Sequence, residues 1–156
     1  QTLAWTHADL QTDLLDLLEG YQLLNESASS SVVKGKRVNR ALLEKLFTFG
    51  MQIYTFLSLK IYLDDINAQP KIFHFNFYKK YLLDNPPDDF SLDLFFLIQA
   101  RKNQFKIKNF NVAFNPRHAG VAKGGGGSWK NRLLLVRRTI NYIQNLRLRI
   151  SVRKKN

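Results

Sequence analysis

Four short polar clusters hold most of the residues able to do chemistry in this 156-residue chain. They are THADLQ with His7, Asp9 and Gln11, DDINAQPK over residues 64–71, PPDDFSLD with Asp88, Asp89 and Asp93, and NPRHAGVAK with Arg117, His118 and Lys123. Carboxylate and carboxamide oxygens suit a hard cation or the removal of a proton; Arg and Lys suit a phosphate. Singly, each cluster has a plainer explanation. Asp9 or Asp13 at a strand end, and Asp88 after two prolines, are the residue type that caps helices, and Arg117 and Lys123 fit a solvated charged face. What sets the clusters apart is their place at the ends of predicted elements, where α/β proteins build their sites.

Those elements follow from hydrophobic spacing. Thr2–Trp5 reads as the end of a short strand leading into THADLQ. Leu14, Leu17, Leu18, Tyr21 and Leu24 predict an amphipathic helix over 13–24 with acids in its first turn. Val32 and Val33 form a short strand entering the basic segment KGKRVNR. Residues 39–63 carry too many apolar side chains for one stripe, so this helix is expected to be buried or to lie against another hydrophobic surface. Phe73, Phe75 and Phe77 alternate with His74 and Asn76, a strand signal over 71–77. NPPDD breaks the chain before a helix over 90–102, residues 105–114 alternate again, and a glycine-rich basic loop leads to a helix over 130–150. GGGGS in that loop has the composition of a flexible linker, but only one helix follows it. Strands alternating with helices make the fold α/β, with a mixed sheet flanked by helices. Residues 1–130 form its body, and 131–156 a basic amphipathic helix and tail.

Charge divides the chain. Residues 1–93 hold nine bases and all twelve acids, and residues 94–156 hold fifteen bases and no acid. An acid-free basic half implies an anionic partner: phosphate, nucleic acid or an anionic membrane surface. Twelve Phe within 45% hydrophobic residues provide a packed core that a disordered basic tail would lack. There is no cysteine, which excludes disulfides and thiolate metal sites and fits a reducing compartment. The longest uncharged apolar-rich stretch, residues 46–59, is shorter than the ~20 residues a membrane span needs. The first residues carry acids and no base, unlike a signal or transit peptide.

Taken in order, the clusters resemble glycosyltransferase family 2, particularly members that make or use polyprenyl-phosphate sugars. THADLQ looks like the family's Asp-x-Asp-x-Gln-type motif at a strand end, with His7 standing where the first Asp is usual. Lys34, Gly35, Lys36, Arg37 and then Arg40 are similar to its Gly-Ser-Arg stretch before an interfacial helix. DDINAQPK matches its Asp-containing turn, PPDDFSLDLF its acidic region near the acceptor, and FNPRHAGVAK its Arg-x-x-Gly-x-Ser-Lys loop, with Ala122 in place of the Ser. The matches run from residue 3 to about 130.

The resemblance implies part of a GT-A (Rossmann-like) domain and a metal-dependent inverting transfer from a nucleotide-diphosphate sugar to a membrane-associated, lipid-linked acceptor such as polyprenyl phosphate, or to a glycan acceptor. Asp9 and Gln11 would hold Mg²⁺ or Mn²⁺. His7, Arg37, Arg40, Arg117 and Lys123 would face the donor phosphates. Asp89, with Asp93 as the alternative, would serve as the acceptor-side base, and Asp65, Asn67 and Gln69 would form the acceptor-side turn. Family members carry a nucleotide-binding half ahead of the metal motif, so the chain is expected to match the C-terminal part of the domain. A basic closing helix with Leu133, Val136, Ile140, Ile143 and Leu146 on one face suits peripheral docking on a cytoplasmic anionic membrane surface; packing on its own domain is the alternative. The rival reading is a small basic nucleic-acid-binding domain that stacks bases on Phe and Tyr. Aspartates at strand ends beside Arg and Lys loops suit a metal-diphosphate site and serve no purpose on nucleic acid, so no nucleic-acid partner is expected.

Overall fold

The alternating strands assemble into one sheet in the order β1-β3-β2-β4. The strands are β1 (Thr2–Trp5), β2 (Ser31–Val38), β3 (Lys71–His74) and β4 (Lys106–Ala113). The computed structural model describes residues 1–6, 11–40, 42–89, 91–113, 115 and 129–153, with backbone only for 129–132 and 149–153. β3 runs antiparallel to both neighbours and β2 pairs parallel with β4. β1, β2 and β4 therefore share one direction, and their carboxyl ends meet the start of β3 at one edge.

The register sorts side chains between two layers. Leu3, Phe73, Val32 and Ile107 align across one face. There they meet α4 (Leu92–Lys102), which is buried nearly all round, and Ile143 of α5 (Trp129–Arg153). Trp5, Phe73, Phe77 and Phe96 pack edge-on or tilted in that core, with centroids 5.1–6.0 Å apart. The other face presents Ile72, Val33, Phe110 and Val112 to α1 (Asp16–Asn25). Gly20 lets α1 lie close: a Cβ there would collide with Ile72 and crowd Phe110. The fold is α/β, a four-stranded mixed sheet with helices on both faces.

Several expectations shift in detail. The first helix begins at Asp16 because Asp13 closes a turn, its Oδ1 accepting the Leu15 N–H at 2.8 Å. β2 continues through the basic segment to Val38, paired with β4 along its whole length. The strand expected over 71–77 stops at His74, and the chain winds into α3 (Phe75–Phe77) and a π-helical turn (Tyr78–Leu82). Phe73 and Phe77 share a face in both periodicities; in the helical one Phe77 enters the core against Phe105 while Phe75 stacks on Tyr78. The closing helix uses its apolar stripe on its own domain. Ile143 is fully buried, Val136, Ile140 and Leu146 are half-buried, and Leu133 is exposed.

α2 (Leu42–Leu59) is inverted relative to an ordinary surface helix. Left-handed residues at Asn39 and Lys60 bracket it. Thr55 is 0% exposed and donates to the Met51 carbonyl, and Thr48 is engaged by Arg40 and Glu44. Leu42, at 82% exposure, begins an outward stripe with Leu46, Phe49, Ile53 and Phe56. The helix expected to be covered is thus covered by nothing among the described residues on that side. No described helix is long and apolar enough to cross a membrane.

Gly35 supplies a close approach. Its N–H donates to the Pro70 carbonyl at 2.8 Å, across a cis Gln69–Pro70 bond, and a Cβ on it would strike the Gln69 carbonyl oxygen. Gly35→Ala is expected to destabilise the protein by about 1–3 kcal/mol, the usual cost of overpacking against backbone. Denaturant midpoints check this; an unchanged midpoint would mean that the 64–70 turn yields freely.

Candidate functional site

The carboxyl edge of the sheet gathers the segments singled out by sequence. Thr6 and Gln11, the two ends of the expected metal motif, follow β1, Arg37 ends β2 and Arg40 follows it, the turn over 64–70 precedes β3, and Asn115 follows β4. β1 and β4 are the outermost strands, yet their outgoing segments are tied together. The Asn115 N–H donates to the Gln11 carbonyl at 2.8 Å, and Gln11 Nε2 donates to the Asn115 carbonyl at 3.2 Å. PPDDFSLD reaches the same edge through the first turn of α4, where Asp93 accepts from Trp5 Nε1 and Gln69 Nε2, both at 3.3 Å, and pairs with Lys71.

Two lysines lie beneath this edge. Lys34 and Lys71 are directly opposite in the β2–β3 register, on the core-facing side, and are 1% and 0% exposed. Burial pushes the Lys34 ammonium down to about 8, against the opposing pull of Asp64 and Asp65. Burial likewise pulls Lys71 below its ordinary value, opposed chiefly by Asp93. Each ammonium is surrounded by acceptors. Lys34 Nζ contacts Asp64 at 3.4 Å and donates to the Gly35 and Asp65 carbonyls; Lys71 Nζ adds the Ile66 and Ala68 carbonyls at 3.2 and 3.0 Å.

A second cluster braces the same turn from the side. Asp65, held at positive φ, receives the Arg37 N–H at 2.9 Å, the Arg37 guanidinium, and Arg40 Nη1 at 3.0 Å. Burial alone would raise the Asp65 carboxyl, but the hydrogen bonds and charge of Arg37, with help from Arg40, hold it below the usual carboxylate range. Arg40 also lies 3.9 Å from Glu44 in α2.

Above these lies a cleft of about 430 Å³, lined by Trp5, Gln69, Asp88, Asp89, Leu92, Asp93 and Arg138 of α5. Asp89 is exposed, and one of its oxygens accepts the Ser91 N–H at 2.8 Å. Asp93, by contrast, is fully engaged. A larger hollow of about 490 Å³ lies at the opposite, amino edge, around His74, Phe75 and Tyr81. None of the candidate site residues lines it.

The structure thus brings Asp89, Asp93 and Gln69 to one cleft and joins Asp65 to Arg37 and Arg40. Gln11 stands at the same edge, tied to Asn115, and Asn67 is half-buried in the turn. His7, Asp9, Arg117 and Lys123 lie outside the described residues. Among the described residues, no three of His, Cys, Asp and Glu come together as a metal cluster. Sequence reasoning gave no role to Trp5, took Lys34 and Lys71 only as members of their segments, and took Arg138 only as part of the basic closing helix. The available signal was a lysine beside paired apolar strand residues, Val32-Val33-Lys34 and Lys71-Ile72-Phe73. No protein-family model matches the chain, and neither does any curated protein or solved structure.

Lys34 makes stability depend on pH. Its ordinary value of 10.5 applies to the unfolded chain and about 8 to the fold. Between the two the unfolded state holds more protons, so stability should rise with pH across that window, by up to ~3 kcal/mol. Chemical denaturation at both ends of the window should show this gain in wild type and a smaller one in Lys34→Met, where the buried Lys71 still contributes in the same direction. Parallel pH profiles for the two proteins would contradict the assignment.

Proposed function

We propose that this chain carries the metal-diphosphate and acceptor side of a GT-A-type, inverting glycosyltransferase of family 2, using a nucleotide-diphosphate sugar. The observation that carries the reading is topological. Segments resembling the family's motifs, in the family's order, leave or approach the sheet at one carboxyl edge, the place where open α/β sheets hold ligands.

The donor set fits a hard cation. Asp9 and Gln11 offer oxygens, the ligand type preferred by Mg²⁺ or Mn²⁺. Such an ion neutralises the charge that develops on a leaving diphosphate. Arg117 and Lys123 supply fixed positive charge to the same phosphates, while Arg37 and Arg40, engaged by Asp65, hold the turn in place. On the acceptor side, Asp89 takes the proton of the attacking hydroxyl, because it is exposed at the cleft whereas Asp93 is held by Lys71, Trp5 and Gln69. The acceptor oxygen bonds to the anomeric carbon as the bond to the diphosphate breaks, and the diphosphate leaves with the electron pair.

The outward stripe of α2 supports peripheral docking on an anionic membrane surface. α5 packs against α2 and exposes Arg137, Arg138 and Arg147 beside Leu133 and Leu134, a combination in which charge attracts and apolar burial retains.

Two measurements test these readings. Calorimetry should show Mn²⁺-dependent binding of inorganic pyrophosphate, weakened at least about tenfold in Asp9→Asn; binding indifferent to the metal or to that substitution would overturn the metal site. Co-sedimentation should show binding to phosphatidylglycerol vesicles. Replacing Leu46 and Phe49 by Ser should weaken it by at least about tenfold, since burying one such side chain is worth about 1.5–3 kcal/mol. Unaltered vesicle binding would move the membrane contact away from α2.

A further inference from the structure

The cleft between Trp5 and Arg138 has a chemical preference that the glycosyltransferase reading leaves open, because such enzymes transfer sugars either to a phosphate or to a hydroxyl. Its volume, about 430 Å³, falls in the range of small-molecule sites. Its charge argues against an anion. Asp93 is compensated by the buried Lys71, which leaves, among the described residues, Asp88 and Asp89, both exposed, against the one guanidinium of Arg138. A phosphate there would face two carboxylates and one cation, an arrangement unlike the Arg and Lys groupings that hold phosphate.

Hydrogen-bonding capacity points the same way. Gln69 spends its Nε2 on Asp93, and its buried Oε1 has no hydrogen-bond partner among the described residues. That oxygen can only accept, as can the carboxylates, so the lining calls for a ligand that donates. A phosphate dianion donates nothing; a sugar hydroxyl donates and also accepts, which suits Arg138. Trp5 and Leu92 add apolar surface of the kind that lies against the C–H face of a pyranose. Because the Trp5 N–H is committed to Asp93, the indole offers carbon rather than a polar group.

We propose that this cleft binds a neutral polyhydroxyl acceptor, a sugar rather than a lipid phosphate, with Asp88, Asp89 and Gln69 accepting from its hydroxyls. The inference rests on the glycosyltransferase reading for the word acceptor; the binding preference itself does not.

Saturation-transfer difference NMR on the purified chain tests it, with a panel of neutral disaccharides (cellobiose, chitobiose, maltose, mannobiose) and with citronellyl phosphate as the short isoprenyl phosphate. At least one disaccharide should bind, more tightly than citronellyl phosphate. Asp89→Asn, which keeps an oxygen for the Ser91 N–H and so preserves the local turn, should weaken that binding about tenfold, and Arg138→Ala should weaken it less. Preferential binding of citronellyl phosphate, lost in Arg138→Ala, would overturn the proposal. So would the absence of binding by every disaccharide. In either case retained Mn²⁺-dependent pyrophosphate binding would leave the glycosyltransferase reading standing, whereas loss of that binding alone would remove the reading and leave a carbohydrate-binding cleft.

Discussion

Two ammonium groups placed side by side inside a sheet impose the strongest constraint on this fold. Lys34 and Lys71 oppose each other across β2 and β3, where like charges repel and where neither reaches water. The arrangement holds only if carboxylates and carbonyls are brought to them. Asp93 does this from α4, Asp64 and the backbone of residues 65–68 do it from the turn before β3. Removing one member of such a set leaves a buried charge unmatched, which costs far more than the net worth of the pair. The start of α4 and the 64–70 turn are therefore locked to the sheet by charge, independently of the aromatic core below.

That locking fixes the walls of the cleft. Its walls come from four separate stretches of chain, and three of them are joined through Asp93, which reaches Trp5, Gln69 and Lys71 together. The adjoining Asp65 with Arg37 and Arg40 fastens the turn to the beginning of α2. A site whose side chains are positioned by a second layer of bonds needs little rearrangement when a ligand arrives.

The order of strands and helices was legible because apolar periodicity is a local property. The chemistry of individual charges was less so, because a charge's partner is not local. Lys71 meets Asp93 22 residues along the chain, and Lys34 meets Asp65 31 residues along. A lysine inside a strand reads locally as surface, and the apolar pair Val32-Val33 ahead of Lys34 is too weak a signal to show that it turns inward. Asp65, Arg37 and Arg40 were named from the sequence as candidates for a site but not as each other's partners. The end of β3 was hidden for a different reason: residues 73 and 77 share a face at a period of two and at a period of four, and the rings that Phe77 meets in the helical one, Phe96 and Phe105, are distant in sequence.

α2 shows how little of a helix's stability needs to come from its own hydrophobic side chains. Its inward contacts are hydrogen bonds of Thr48 and Thr55, the hold of Arg40, and packing by Met51, Tyr54 and Leu59, while its most apolar stripe is solvated. Whatever surface comes to cover that stripe acts thermodynamically as a ligand of the native state, since the unfolded chain offers no such contiguous face. By mass action the melting temperature of this protein then becomes a function of the concentration of that surface, and two laboratories measuring it with and without detergent or lipid would report different proteins.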